Sequence, residues 1–192
     1  MRQDAAAPWM AFEARQTIST VDCAFSWSAR SGFARAIEVR DALGPEGGDF
    51  RVRALGLFPI ASIRKSPELT RGELIRYLAE LAWAPQAIMS NSDLRWTERN
   101  GSQLCVAASA GEVAAEVTLT LDARGRIAEV FCPDRPRAVK GRFEPTPWRG
   151  RFEDYSRREG VWTPSRGTVS WILDGRETPV WEGRILNWRA RV

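Results

Sequence analysis

"RGELIRYLAELAWAPQAIM", residues 71–89, is the stretch on which the fold turns. Its apolar residues recur at helical spacing: at 100° per residue Leu74, Tyr77, Leu78 and Leu81 share one face, widened by Ile75 and Ala82. Glu73, Arg76 and Glu80 take the other side, with Arg76 spaced to pair with either acid. Ser66 and Pro67 read as the start, with a hydroxyl cap and a proline in the first turn, and Glu68 follows where the helix dipole favours an anion. Trp83 falls on the polar side, and Pro85 blocks continuation. The expectation is one helix over residues 67–82, with a wet, salt-bridged face and an apolar face that needs a partner.

Nearly everything outward from this helix reads as strand. "CAFSWSA" alternates, with Phe25 and Trp27 on one side and Ser26 and Ser28 on the other. "FRVRAL", "VAAEVTLTL" and "TVSWIL" repeat the pattern, which suits antiparallel strands with one wet face. Hairpin chemistry separates them: "GPEGGD", "RNGS", "DARG" and "DGRE" supply residues that tolerate positive φ and acids that cap turns. Strands are expected near 8–16, 22–30, 34–42, 48–55, 58–63, 93–98, 103–109, 112–121, 126–134, 148–155, 167–174 and 179–190. "PDRPRAVKGRFEPTPW", residues 133–148, reads as the one long irregular connection. No repeat or low-complexity linker divides the 192 residues, so a single domain over 1–192 is expected. The fold class is mainly β (α+β): a long antiparallel sheet that must curl, with the helix packed on its concave apolar face.

Composition narrows the chemistry. The chain carries 28 Lys and Arg against 24 Asp and Glu, a formal charge of +4, and no histidine. Losing histidine removes the commonest general base and the commonest zinc ligand, and no Ser-His-Asp or Cys-His site can be built. No phosphate-cradling glycine loop and no GxSxG occurs. Glu73 and Glu80 lie roughly 10 Å apart along a helix axis, too far for a retaining carboxylate pair. "FEDY", with Glu153, Asp154 and Tyr155, reads as a hairpin-edge cluster. Cys23, Cys105 and Cys132 sit in strand-like runs with no CxxC, as buried small hydrophobes do. No catalytic residue, cofactor, metal site or nucleic-acid motif is expected. The longest apolar run, "ALGLFPIASI", is about half of the ~20 residues a bilayer crossing needs, and "MRQDAAAPWMAF" lacks a signal-peptide core. The chain as given is expected to be cytoplasmic, with periplasmic or membrane-associated placement left open.

The order of "GELIRYLAELAWAP", "LTLDARGRI", "PWRGRFEDY", "GVWTPSRGTVSW" and "WEGRILNW" resembles a bacterial family of unknown function, over nearly the whole chain from "WMAFEARQ" onward. That resemblance implies a fold similar to the LolA/LolB-like group: a half-barrel antiparallel sheet closed by helical segments around an apolar cavity. Proteins of that group carry lipoproteins or acyl chains. It implies non-enzymatic binding of a lipid or other hydrophobic ligand between sheet and helix. Leu74, Tyr77, Leu78 and Leu81 would form the lid; Phe25, Trp27, Trp96 and Trp171 would form the walls. The alternative is a structural or protein-interaction domain whose core these side chains fill. The cations Arg135, Arg137, Lys140, Arg142, Arg149 and Arg151, with Glu144 as the one anion among them, are a candidate contact for a membrane surface.

Overall fold

The computed structural model describes residues 1–2, 7–32, 36–55 and 58–190. Two antiparallel sheets flank one main helix. The first sheet has five strands in chain order: β1 (Phe12–Ile18), β2 (Phe25–Ser31), β3 (Ile37–Gly44), β4 (Gly47–Ala54) and β5 (Phe58–Ile63). The helical segment follows, as α1 (Pro67–Ala79), a 3-10 turn at Glu80–Ala82, and the short α2 (Pro85–Ser90). The second sheet is a seven-stranded meander: β6 (Arg95–Asn100), β7 (Gln103–Ala110), β8 (Val113–Leu121), β9 (Ile127–Val139), β10 (Arg142–Arg158), β11 (Val161–Leu173) and β12 (Arg176–Arg184).

The helix begins as its sequence requires: Ser66 Oγ accepts from the Leu69 N–H at 3.2 Å, and Pro67 occupies the first turn. All four expected turns join consecutive antiparallel strands. In "DARG", Asp122 accepts from the backbone of Arg124 and Arg126 and pairs with the Arg126 guanidinium at 2.6 Å. Of the strand expected at 34–42, residues 34–35 lie outside the described residues.

Two expectations need correction. Residues 133–148 are not an irregular connection but the turn-side half of the β9–β10 hairpin, in which Pro136 faces Pro145 and the register shifts between Thr146 and Trp148. Each proline costs a ladder donor, and the bulge absorbs the mismatch. The second correction concerns the helix. It packs against β7, β8 and β9 on one side and against β3 and β4 on the other, so both faces are covered. The antiparallel layer is divided into two sheets, and α1 lies between them.

The approach on the five-stranded side is close. A Cβ at Gly48 would stand 3.0 Å from Leu69 Cγ and 3.2 Å from the Leu69 carbonyl carbon, so glycine is what lets β4 touch the helix backbone. The Gly48 N–H donates to Thr70 Oγ1 at 3.1 Å across this contact. One contiguous core joins both sheets and the helix, including Phe25, Trp27, Leu78, Val117, Val130 and Trp148.

Candidate functional site

The eight residues expected to line a pocket all belong to elements facing the space between the sheets. Cross-strand register sets the faces: Trp96 stands beside Val106 and Val117, Trp171 beside Trp148 and Cys132, and Phe25 and Trp27 alternate inward along β2. Leu74, Tyr77, Leu78 and Leu81 are fully buried, and Phe25 and Trp27 nearly so. Trp96 and Trp171 are half-buried and packed on the core. All eight therefore sit in packed core or against it. Trp96 differs, because it also lines a recess of about 350 Å³ with Ile88, Leu104, Leu119, Leu121, Gly125 and Ile127. Among the described residues, no charged or hydroxylated side chain borders it. Among the six residues of α2, which overhangs it through Ile88, only Ala87 is buried.

A second recess, about 420 Å³, opens at the start of α1 between Pro67, Glu68, Arg71, Glu112, Asp134 and Phe143. Its lining is mixed, and an ion pair between Arg71 and Asp134 at 2.8 Å lies along it.

The centre of the molecule holds a charged cluster that the helix pattern assigned to solvent. Glu73 is 6% exposed and Glu80 is 8% exposed. The expectation of a wet face fails because the first sheet closes over it. Arg76 donates from Nη1 to Asp41 Oδ2 and from Nε to Glu80 Oε1 at 2.9 Å. Gln16 Nε2 donates to the other Glu80 oxygen. The Arg76 guanidinium also lies 4.7 Å from the Phe25 ring centre and 5.1 Å from that of Trp27, a cation–π sandwich edge on the floor of the first sheet. From the second sheet, Arg135 stacks over Trp148 at 4.7 Å and approaches Trp171 at 5.8 Å. Three of the expected wall residues, Phe25, Trp27 and Trp171, therefore seat arginines.

Three carboxyl groups face two guanidiniums in this cluster. Burial, reinforced by Asp41 beside it, pushes the Glu73 carboxyl well above the usual range. Asp41 Oδ1 and Glu73 Oε2 are buried without a donor when both groups are ionised. A proton on Glu73 brings the cluster to neutrality and lets the two carboxyls bond each other. Burial draws Arg76 down, but Glu80, Asp41 and Glu73 outweigh it and hold it charged; burial lowers Arg135. No sequence motif announces this cluster. The available signal was Asp41, an acid at an inward position of "IEVRDALG" between Val39 and Leu43.

The remaining sequence candidates have structural partners. The Tyr77 hydroxyl donates to the Ser19 carbonyl at 3.1 Å and accepts from Asn91 at 2.9 Å; burial pushes it up to about 12. Tyr155 donates to the Ile127 carbonyl at 2.6 Å. Glu153 and Asp154 are exposed and face Arg166. Among the described residues, no group of three or more Cys, Asp or Glu is placed to hold a metal ion. Cys105 and Cys132 are buried and Cys23 is half-buried, all as free thiols. In the basic stretch, Arg149 and Arg151 both pair with Glu129 and Glu177, and Arg137 and Arg142 pair with Glu144. Its cations are largely matched by acids of the same sheet.

The profile of a family of unknown function (DUF6544) matches residues 1–183. The crystal structure of a LolA superfamily protein from Nitrosomonas europaea is similar over 92% of this chain and 84% of that one, at 13% identity and a TM-score of 0.32. No curated protein matches the chain.

Proposed function

Starting from a chain that belongs to this family of unknown function, we propose on geometry alone that it is a non-enzymatic binding module for a hydrophobic ligand, held in the recess beside Trp96. The observation that carries this reading is the lining: Ile88, Trp96, Leu104, Leu119, Leu121 and Ile127 are all apolar and converge from a helix and four strands. About 350 Å³ lies at the small end of ligand sites, which run to roughly 1,000 Å³. It suits an acyl chain or a molecule of similar girth. Binding would be driven by apolar burial, at about 25 cal/mol per Å² before ordering costs. Phe25, Trp27, Leu74, Tyr77, Leu78, Leu81 and Trp171 would act as the frame behind the recess and would meet ligand only if the core opened.

The test is titration with a fluorescent fatty acid, read against Trp96→Ala and Leu104→Asp. Saturable binding that weakens roughly tenfold in Trp96→Ala, the loss expected of an aromatic anchor, supports the reading. Absence of saturable binding, or binding indifferent to both substitutions, overturns it. The second reading, an interaction domain with a filled core, is favoured by the complete burial of Leu74, Tyr77, Leu78 and Leu81.

A further inference from the structure

Register brings one end of the five-stranded sheet into line: Phe12, Ser31, Ile37, Ala54 and Phe58 are successive cross-strand neighbours. In that row Ser31 is buried and Phe12, Ile37 and Ala54 are half-buried, while the β5 corner is apolar and exposed. Leu55, just past Ala54, is 67% exposed; Phe58 is 63% and Ile60 57% exposed. Trp9 and Met10, just before β1, are exposed at the opposite corner of the same end. Large apolar residues left bare together at an element end mark a contact surface.

The outer face behind this rim is basic. Arg15, Ser28, Arg40, Arg51 and Ser62 form one cross-strand row, and Glu13, Arg30, Glu38 and Arg53 form the row nearer the rim. With Asp49 one row further back, five arginines meet three acids on the face. Arg51 pairs with Asp49, while Arg15, Arg30, Arg40 and Arg53 have no ion pair among the described residues. Arg40 and Arg51 stand directly opposite each other, and like charges so placed repel. An anion on this face relieves that repulsion.

The free edge limits what the partner can be. β5 carries Pro59, which has no N–H to offer, and the register against β4 slips between Val52 and Arg53, leaving Ile60 as the extra residue. Proline and a bulge at an edge are the features that discourage another strand from adding there. A greasy rim backed by arginines, on an edge unsuited to strand addition, fits a lipid surface better than a second β-chain.

We propose that this end of the five-stranded sheet docks on an anionic phospholipid surface, with Leu55, Phe58 and Ile60 entering the acyl boundary and Arg30, Arg40, Arg51 and Arg53 meeting phosphates. The partner chemistry is the one interfacial segments use, apolar area for insertion and basic charge for attraction. This surface is separate from the Trp96 recess and stands whether or not the recess holds a ligand.

The experiment is co-sedimentation of the full chain with vesicles of phosphatidylglycerol and phosphatidylcholine in equal parts, against vesicles of phosphatidylcholine alone. Three proteins are compared: the unsubstituted chain, Phe58→Ser/Ile60→Ser, and Arg40→Glu/Arg51→Glu, each with its fold checked by circular dichroism. The expected result is pelleting with the anionic vesicles, weakened by salt, and reduced roughly tenfold or more by either double substitution. Because all four positions are outside the core, both variants keep the fold. Failure to pellet with anionic vesicles overturns the proposal, as does pelleting that neither substitution changes. A dimer in solution that Phe58→Ser/Ile60→Ser dissociates, without vesicle binding, overturns it in favour of self-association.

Discussion

Arg76 joins three elements, bonding Asp41 on β3 and Glu80 at the helix end while lying over Phe25 and Trp27 on β2. Arg76→Ala leaves those carboxylates buried and uncompensated, and is expected to cost about 3–5 kcal/mol, read by chemical denaturation. Glu73 behaves oppositely. Its carboxyl is raised in the folded chain above an unfolded value near 4.3, so the folded state holds the extra proton. Stability is then greatest below about pH 4.3 as far as this group is concerned, and declines as pH rises through the folded value. Glu73→Gln removes that decline and is expected to be more stable than the parent at pH 8, with the difference vanishing in acid. Parallel unfolding curves across pH check this; a variant less stable at every pH would contradict it. Little of this was legible in the sequence. A charge at helix spacing looks the same whether water or a second sheet lies beyond it, and only Asp41, inward on its strand, carried a hint.

The helix and the hairpins were the legible elements, because their signals are local. Ser66 and Pro67 start α1 and the glycine-rich and aspartate-rich turns fall between paired strands, whereas α1 ends earlier than expected, at Ala79, and Pro85 opens α2. The β9–β10 and β10–β11 hairpins were under-read, since Pro136, Pro145 and Pro164 argue locally against strand while long antiparallel pairing carries them. Packing sets the penalties here. Leu78, on α1, is fully buried, and Leu78→Ala is expected to cost about 2–5 kcal/mol. Gly48→Val tests the close approach of β4: its Cβ would meet Leu69 at 3.0 Å, so thermal unfolding should shift down by several degrees, roughly 1–3 kcal/mol of overpacking.

For the whole molecule, the decisive feature is that α1 is shared. The mainly β, antiparallel, one-helix architecture was readable from periodicity and turns; the division into two sheets was not, because nothing in the alternation of β5 or β6 says that pairing ends there. The side chains expected to line a pocket under the helix lie in the core or packed on it, and an apolar recess lies toward α2 at Trp96. A curved sheet predicts an inner face but not which part of it is filled. Hydrogen–deuterium exchange along α1 tests the central claim most directly. The account predicts that amides of residues 74–79 exchange as slowly as those of β8, through global unfolding alone, since sheets cover both sides of the helix. Exchange of α1 orders of magnitude faster than β8 would contradict it, by showing the helix to be a detachable cover on one side of a single layer.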